Sequence, residues 1–241
     1  MGEPLTDTDH FLPRGFRWYT LAVILFILGL GVVTAVSGLW NFLMLGVGES
    51  ALYAVYQRKW KAVHRTVAPD LQAAAGTRTL SFGRYVLLAW AYAMLMEFCV
   101  DFGSYGTLNP GVVLLIMLVL TPHYLFMAAV FRLWFRWYTY SPREAYFTMG
   151  AVGFLLESII LKLFAGTFEW SGILLFPVDV PVHMLNYGGI VLIPTFYHNQ
   201  TDRRTPVRTR KKFVVGVVGT LALTLPEIAA TYWFVYGVIL Q

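Results

Sequence analysis

The chain has 241 residues, of which 58% are hydrophobic and only 13% are charged, and its mean hydropathy is +0.62. Soluble domains carry about 25% charged residues, so these values exclude a soluble globular protein and indicate an integral membrane protein. The length corresponds to one integral membrane domain, residues 1–241. The single cysteine, Cys99, can form no disulfide within the chain.

Seven apolar stretches have the length of about 17–25 residues that a membrane-spanning helix needs. We therefore expect an all-α, polytopic membrane protein, a seven-transmembrane helix bundle, with spans near 20–37, 40–57, 85–103, 111–131, 146–164, 172–197 and 213–239. Residues 20–57 are nearly continuous, which leaves open whether they form two spans or one. The sixth stretch contains three prolines and a Gly-Gly pair, which predict a kinked or broken helix.

The distribution of basic residues predicts the orientation. Seventeen of the 18 Lys and Arg residues fall on one side of the membrane, and only Lys162 falls on the other. The positive-inside rule then places the N-terminus in the cytoplasm and the C-terminus outside. The basic segment 203–212 is interpreted as a topology determinant whose partners are anionic lipid headgroups. With no base-reading motif, no nucleic acid partner is expected; the membrane is the endoplasmic reticulum in a eukaryote and the cytoplasmic membrane in a prokaryote.

Six carboxylates lie within these stretches, where a charge at the bilayer centre costs at least about 2.5 kcal/mol. At a rise of about 1.5 Å per helical residue, most of them fall into one layer with two histidines, between the midplane and the outer half of the membrane. A shared polar cavity would produce this arrangement. The carboxylates are Glu49, Glu97, Asp101, Glu157, Asp179 and Glu227, and the histidines are His123 and His183.

Such a cavity suits acid–base chemistry, because protonating an alkene or epoxide needs a carboxylic acid that stays neutral, as desolvation favours. We expect Glu49 to donate the proton with Glu227 as its partner, and Glu157 and Asp179 to shape the cavity. Other polar groups and deep aromatic residues are expected to bind the substrate: Glu97, Asp101, His123, His183, Trp40, Trp170, Tyr187 and Trp233.

Each of these residues also has a structural alternative. A single intramembrane Glu can be protonated and bonded to a neighbouring helix, and aromatic residues form packing contacts and interface belts. The two intramembrane histidines show no metal-binding spacing, and no phosphate or dinucleotide fingerprint occurs. Neither a metal nor another cofactor is expected.

Two segments resemble a family of membrane enzymes. Residues 41–53, with Glu49, and residues 226–233, with Glu227, are similar to the acid-bearing second and last spans of the small integral-membrane terpene cyclases of meroterpenoid and indole-diterpene biosynthesis. That family shares the length and the seven-span plan, and it generally has Asp in the last span. The resemblance implies Glu49 and Glu227 as the two acids.

A second resemblance covers Gly153 to Pro181. An acid at Glu157 is followed by aromatic residues and then by Pro177 and Pro181 around Asp179. This order resembles a stretch of the membrane carotenoid hydratases and related lycopene cyclases, although the connecting loop is shorter here. It implies an isoprenoid substrate.

We therefore expect an enzyme that cyclises or hydrates an isoprenoid lipid, in the manner of an isomerase or a lyase. The alternative is a proton- or cation-coupled transporter of small molecules, because intramembrane Glu, Asp and His serve as proton relays and interrupted helices mark substrate sites. A non-catalytic receptor or assembly factor remains a third class. Turnover of prenylated epoxides and linear polyprenes would distinguish the first class from the others.

Overall fold

The structure, a computed structural model, describes residues 10–66, 80–104, 110–199 and 210–234. These residues form helices and turns, and no strand occurs among them, so the expected all-α fold is confirmed. The helices are α1 (Arg14–Val36), α2 (Asn41–Thr66), α3 (Phe82–Ser104), α4 (Pro110–Leu133), α5 (Pro142–Phe164), α6 (176–199) and α7 (210–234).

Turn and capping residues fix several helix boundaries. Gly38 has φ 82°, a left-handed conformation that glycine adopts without strain, and it separates α1 from α2. Residues 20–57 therefore belong to two helices. At the start of α5, the Ser141 hydroxyl accepts from the Glu144 N–H at 3.2 Å and the Glu144 carboxylate accepts from the Ser141 N–H at 2.8 Å. This reciprocal capping box starts the helix at Pro142.

Helix α6 is the centre of the bundle. It packs against α1, α2, α3 and α5, and every residue from 185 to 195 is buried. A helix that is apolar on all sides needs such a surrounding. Its prolines were expected to kink or break it. The helix is unbroken from 176 to 199, with Pro181 and Pro194 inside it, and the kink stays a prediction.

Three helices contain a π-helical turn, in which one extra residue is accommodated. The turns lie at Leu156–Ile160 in α5, Met184–Gly188 in α6 and Val215–Gly219 in α7. Such turns shift the faces that the side chains before and after them present, and they are frequent at functional sites.

The basic ends of the helices meet at one end of the bundle. Lys212 at the start of α7 lies 2.8 Å from Glu144 at the start of α5. Arg143 donates to the backbone carbonyl of His10 at 2.7 Å, which fixes the segment before α1 beside α5. Tyr85 at the start of α3 lies 3.1 Å from Thr195 near the end of α6. We call this region the basic end.

Six helices of the described part are long and apolar enough to cross a membrane, which identifies an integral membrane protein. They are α1, α3, α4, α5, α6 and α7. Helix α2 has 26 residues but is less apolar, because it contains Glu49 and several basic residues from Arg58 onward. The seventh span and the cytoplasmic N-terminus remain predictions.

Candidate functional site

Two buried tyrosines bind carboxylates in the half of the bundle away from the basic end. The Tyr124 hydroxyl on α4 donates to the Glu97 carboxylate on α3, and both side chains are buried. The Tyr187 hydroxyl on α6 donates to the Glu157 carboxylate on α5. Each hydrogen bond ties an acid on one helix to a phenol on another, which holds the acid in a defined position.

The two tyrosine–carboxylate pairs are in contact through their tyrosine rings. The ring centroids of Tyr124 and Tyr187 are 6.5 Å apart. On the far side, His183 Nδ1 lies 3.6 Å from the second oxygen of Glu157. Glu97, Tyr124, Tyr187, Glu157 and His183 therefore form one continuous group across α3, α4, α6 and α5, which we call the tyrosine network.

The π-helical turns and a glycine position this network. Glu157 lies in the π-helical turn of α5, and Tyr187 lies in that of α6. The Tyr187 ring lies directly against Gly153, where the Cβ of any other residue would overlap with it. Local helix geometry and the glycine together bring the phenol to the acid.

A histidine–carboxylate pair lies beside the tyrosine network. His123 Nδ1 is 2.7 Å from Glu227 Oε2, which connects α4 to α7. The His123 ring also contacts that of its neighbour Tyr124, with centroids 5.2 Å apart. Asp179 accepts from the Ser158 hydroxyl at 3.2 Å, another contact between α6 and α5. These contacts surround the network with further polar groups.

Glu49 belongs to a different group of residues. Its side chain on α2 is fully buried and lies beside the Asn186 side chain of α6. The backbone of α3 lies close by, because a Cβ on Gly48 would overlap with the Cys99 carbonyl oxygen. Glu49 is thus enclosed by protein.

The acids differ in their access to the surroundings. The exposed fraction of the side chain is 42% for Glu157 and 22% for Glu227, but Glu49 is 0% exposed. A group that exchanges a proton with a substrate must touch it. Glu157 and Glu227 are accessible from outside the bundle, and Glu49 is not.

The aromatic residues expected to bind substrate fall into two groups. Tyr187 is buried in the tyrosine network, whereas Trp40 and Trp170 are 57% and 79% exposed near helix starts, as interface aromatics are. The side chains of Asp101 and Trp233 lie outside the described part of the structure.

Several residues of these groups were not singled out by sequence reasoning. Tyr124 donates to Glu97, Ser158 donates to Asp179, and Asn186 lies beside Glu49. Tyr56 and Tyr146 are within electrostatic range of Glu49. The chain has 14 tyrosines, and only the interhelical contacts distinguish those that bind acids. The one available signal was adjacency, since Tyr124 follows His123 and Asn186 precedes Tyr187.

Within residues 10–66, 80–104, 110–199 and 210–234, no group of three or more His, Cys, Asp or Glu side chains is arranged to hold a metal ion. No protein-family model, curated protein or solved structure matches this chain. The function is therefore argued from the geometry of the site.

Proposed function

We propose that the protein is a membrane-embedded acid–base enzyme that acts on an isoprenoid lipid. Protonation of an alkene or epoxide would start a cyclisation or a hydration. The observation that carries this proposal is the tyrosine network, in which two carboxyl groups are hydrogen-bonded to phenols inside an apolar bundle and an imidazole lies 3.6 Å from one of them. Preorganised polar groups in a water-poor site are effective in proton transfer.

Glu157 is the proton donor in this proposal. It was expected to shape the cavity while Glu49 donated, but Glu157 is accessible and Glu49 is enclosed. The Glu157 proton adds to the substrate double bond or epoxide oxygen, and a carbocation forms. The Tyr187 ring, whose hydroxyl is hydrogen-bonded to Glu157, lies near that positive charge and stabilises it through its quadrupole.

Glu227, paired with His123, is the acceptor. In a cyclisation it removes a proton from the carbocation, which forms the final double bond. In a hydration it takes a proton from the water that adds to the cation. In either route the enzyme gives one proton from Glu157 and regains one at Glu227. His123 fixes the orientation of the accepting carboxylate.

The proposal includes a topology. Helix α2 is the seventh span, the basic end faces the cytoplasm, and the C-terminus lies outside. The tyrosine network then lies in the outer half of the bilayer, where an isoprenoid substrate enters from the lipid. Anionic headgroups bind the basic segment 203–212, of which residues 203–209 lie outside the described part of the chain.

A turnover assay tests the proposal. Membranes containing the chain are incubated with linear polyprenes and prenylated epoxides, and products are separated by chromatography. We expect Glu157→Gln to lower turnover by about 10²–10⁴-fold, the contribution of a general acid. Glu169→Gln, an exposed acid beyond α5, is the matched control and should retain full turnover. Equal turnover of Glu157→Gln and wild type would contradict the assignment.

One observation favours a proton-coupled transporter as the second candidate. Two phenol–carboxylate hydrogen bonds, joined by the contact between the two tyrosine rings, connect the accessible Glu157 to the buried Glu97. Chains of acids, phenols and imidazoles can relay protons through a bundle. In that case proteoliposomes would show proton flux that Glu97→Gln abolishes, and the polyprene assay would show no product.

A further inference from the structure

A short segment before the first helix is buried in the bundle. Phe11 and Leu12 are 1% and 0% exposed, although they precede α1 in the chain. The Arg143 side chain at the start of α5 donates from Nε to the Phe11 carbonyl at 3.2 Å. It also donates from Nη2 to the His10 carbonyl at 2.7 Å. Residues 10–12 are therefore fixed in place, and we call them the N-terminal segment.

Phe11 fills a space between two helices. Helices α2 and α5 both pack against α6, but their described backbones make little direct contact with each other. The centroid of the Phe11 ring lies 5.5 Å from that of Tyr53 and 6.3 Å from that of Tyr56, both on α2. It lies 5.6 Å from the centroid of Tyr146 on α5. One ring from outside the helices thus bridges the cleft between them.

The helix beneath this cleft approaches the tyrosines closely. Tyr56 lies against Gly189 of α6, where a Cβ would overlap with the phenol ring. Tyr146 lies in the same way against the adjacent Gly188. The two glycines therefore form the floor of the cleft and the two tyrosines its walls, and Phe11 occupies the space between the walls.

Glu49 lies deeper along the same wall. Glu49, Tyr53 and Tyr56 are four and three residues apart, so they share one face of α2. Tyr56 follows Glu49 by seven residues, which corresponds to about 10 Å along the helix. The basic residues of α2 begin beyond Tyr56, at Arg58, whereas Glu49 is 0% exposed. Phe11 thus lies between the basic end and the buried acid.

Close packing at this position determines whether water can pass. Water occupies a space inside a protein when the space is large enough and is bordered by polar groups. Without the Phe11 ring, the cleft would be larger and bordered by the phenols of Tyr56 and Tyr146. We propose that the N-terminal segment is a seal that closes Glu49 off from water at the basic end.

The seal is separate from the proposed catalysis, because none of Phe11, Tyr53, Tyr56 and Tyr146 belongs to the tyrosine network. It would serve an enzyme and a transporter alike. Release of the N-terminal segment would admit water and small solutes from the basic end to the interior. The start of the chain therefore controls access to the buried acid.

The test is the reactivity of a thiol placed behind the seal. Glu49→Cys is introduced in a Cys99→Ala background, and the purified full chain in detergent is treated with a small, charged, water-soluble methanethiosulfonate. We expect slow modification when the seal is intact. Phe11→Ala should raise the modification rate about tenfold or more, because the segment no longer has to open before the reagent passes.

Phe16→Ala is the matched control. It removes the same ring from the same end of the chain, but Phe16 packs against Tyr19 and Phe147, so the rate should stay unchanged. Arg143→Gln keeps every ring and releases the two carbonyls, so it should also raise the rate.

If Phe11→Ala does not fold, Arg143→Gln decides the question, and an unchanged rate in that variant would overturn the proposal. An equal rate with and without the Phe11 ring, or the same increase in Phe16→Ala, would overturn it as well.

Discussion

At the scale of single residues, the two phenol–carboxylate bonds differ in their surroundings. Glu97 is buried, so no water can replace the Tyr124 hydroxyl that donates to it. Glu157 is 42% exposed and can find another donor when Tyr187 is removed. Loss of a donor to a buried acid is costly, about 1–3 kcal/mol, because the acid keeps its desolvation penalty.

Tyr124→Phe is therefore expected to lower the free energy of unfolding by about 1–3 kcal/mol, and Tyr187→Phe by less. Both changes keep the ring and remove one oxygen, so each is the matched control of the other. Unfolding in mixed micelles by a denaturing detergent measures the difference. A larger loss for Tyr187→Phe would show that burial of the acid does not set the cost.

The sequence predicted much of the content of the site but not its pairings. Glu97, His123, Glu157, His183 and Glu227 were expected in one layer, and the structure places each in contact with another of them or with Tyr124 or Tyr187. Which acid meets which partner depends on helix rotation. Glu227 and His123 are 104 residues apart, and no local spacing encodes that contact.

At the scale of helices, six of the seven expected spans correspond to helices long and apolar enough to cross a membrane, because continuous apolar runs determine them. The π-helical turns were not, since no residue pattern distinguishes Leu156–Ile160 or Met184–Gly188 from ordinary helix. These turns contain Glu157, Asn186 and Tyr187. The geometry of the tyrosine network and of the surroundings of Glu49 therefore depends on a feature that periodicity cannot show.

Two glycines test how closely neighbouring helices approach each other. A Cβ at Gly48 would overlap with the Cys99 backbone of α3, whereas Gly29 in α1 has no atom within 4 Å of that position. Gly48→Ala must move α2 away from α3, and we expect a loss of about 1–3 kcal/mol of unfolding free energy. Gly29→Ala should leave stability unchanged or raise it by up to about 1 kcal/mol. Thermal unfolding of both variants measures this.

A small effect of Gly48→Ala would mean that α2 packs less closely than described.

At the scale of the whole molecule, the basic end connects sequence to topology. The starts of α3, α5 and α7 and the ends of α4 and α6 meet there through an ion pair, a hydrogen bond and a cation–π contact. A bundle whose basic ends lie together is what the positive-inside rule requires. The rule also predicts which side of the membrane this end faces.

Cysteine labelling tests that orientation and the role of α2 as a span. In a Cys99→Ala background, single cysteines replace Ser37, Ala73, Thr167 and Thr205, and intact cells are treated with an impermeant maleimide. We expect Ser37→Cys and Thr167→Cys to react from outside, and Ala73→Cys and Thr205→Cys to react only after permeabilisation. Reaction of positions 37 and 73 from the same side would show that α2 does not cross the membrane.

The most direct test of the account is the source of the proton in the product. Membranes with the wild-type chain are incubated with linear polyprenes and prenylated epoxides in D₂O, and the products are analysed by mass spectrometry. If Glu157 starts the reaction by protonation and then re-equilibrates with solvent, an alkene-derived product carries deuterium at the protonated carbon, and Glu157→Gln forms almost none of it. Product without solvent deuterium from a polyprene, or undiminished product from Glu157→Gln, would contradict acid catalysis at the tyrosine network.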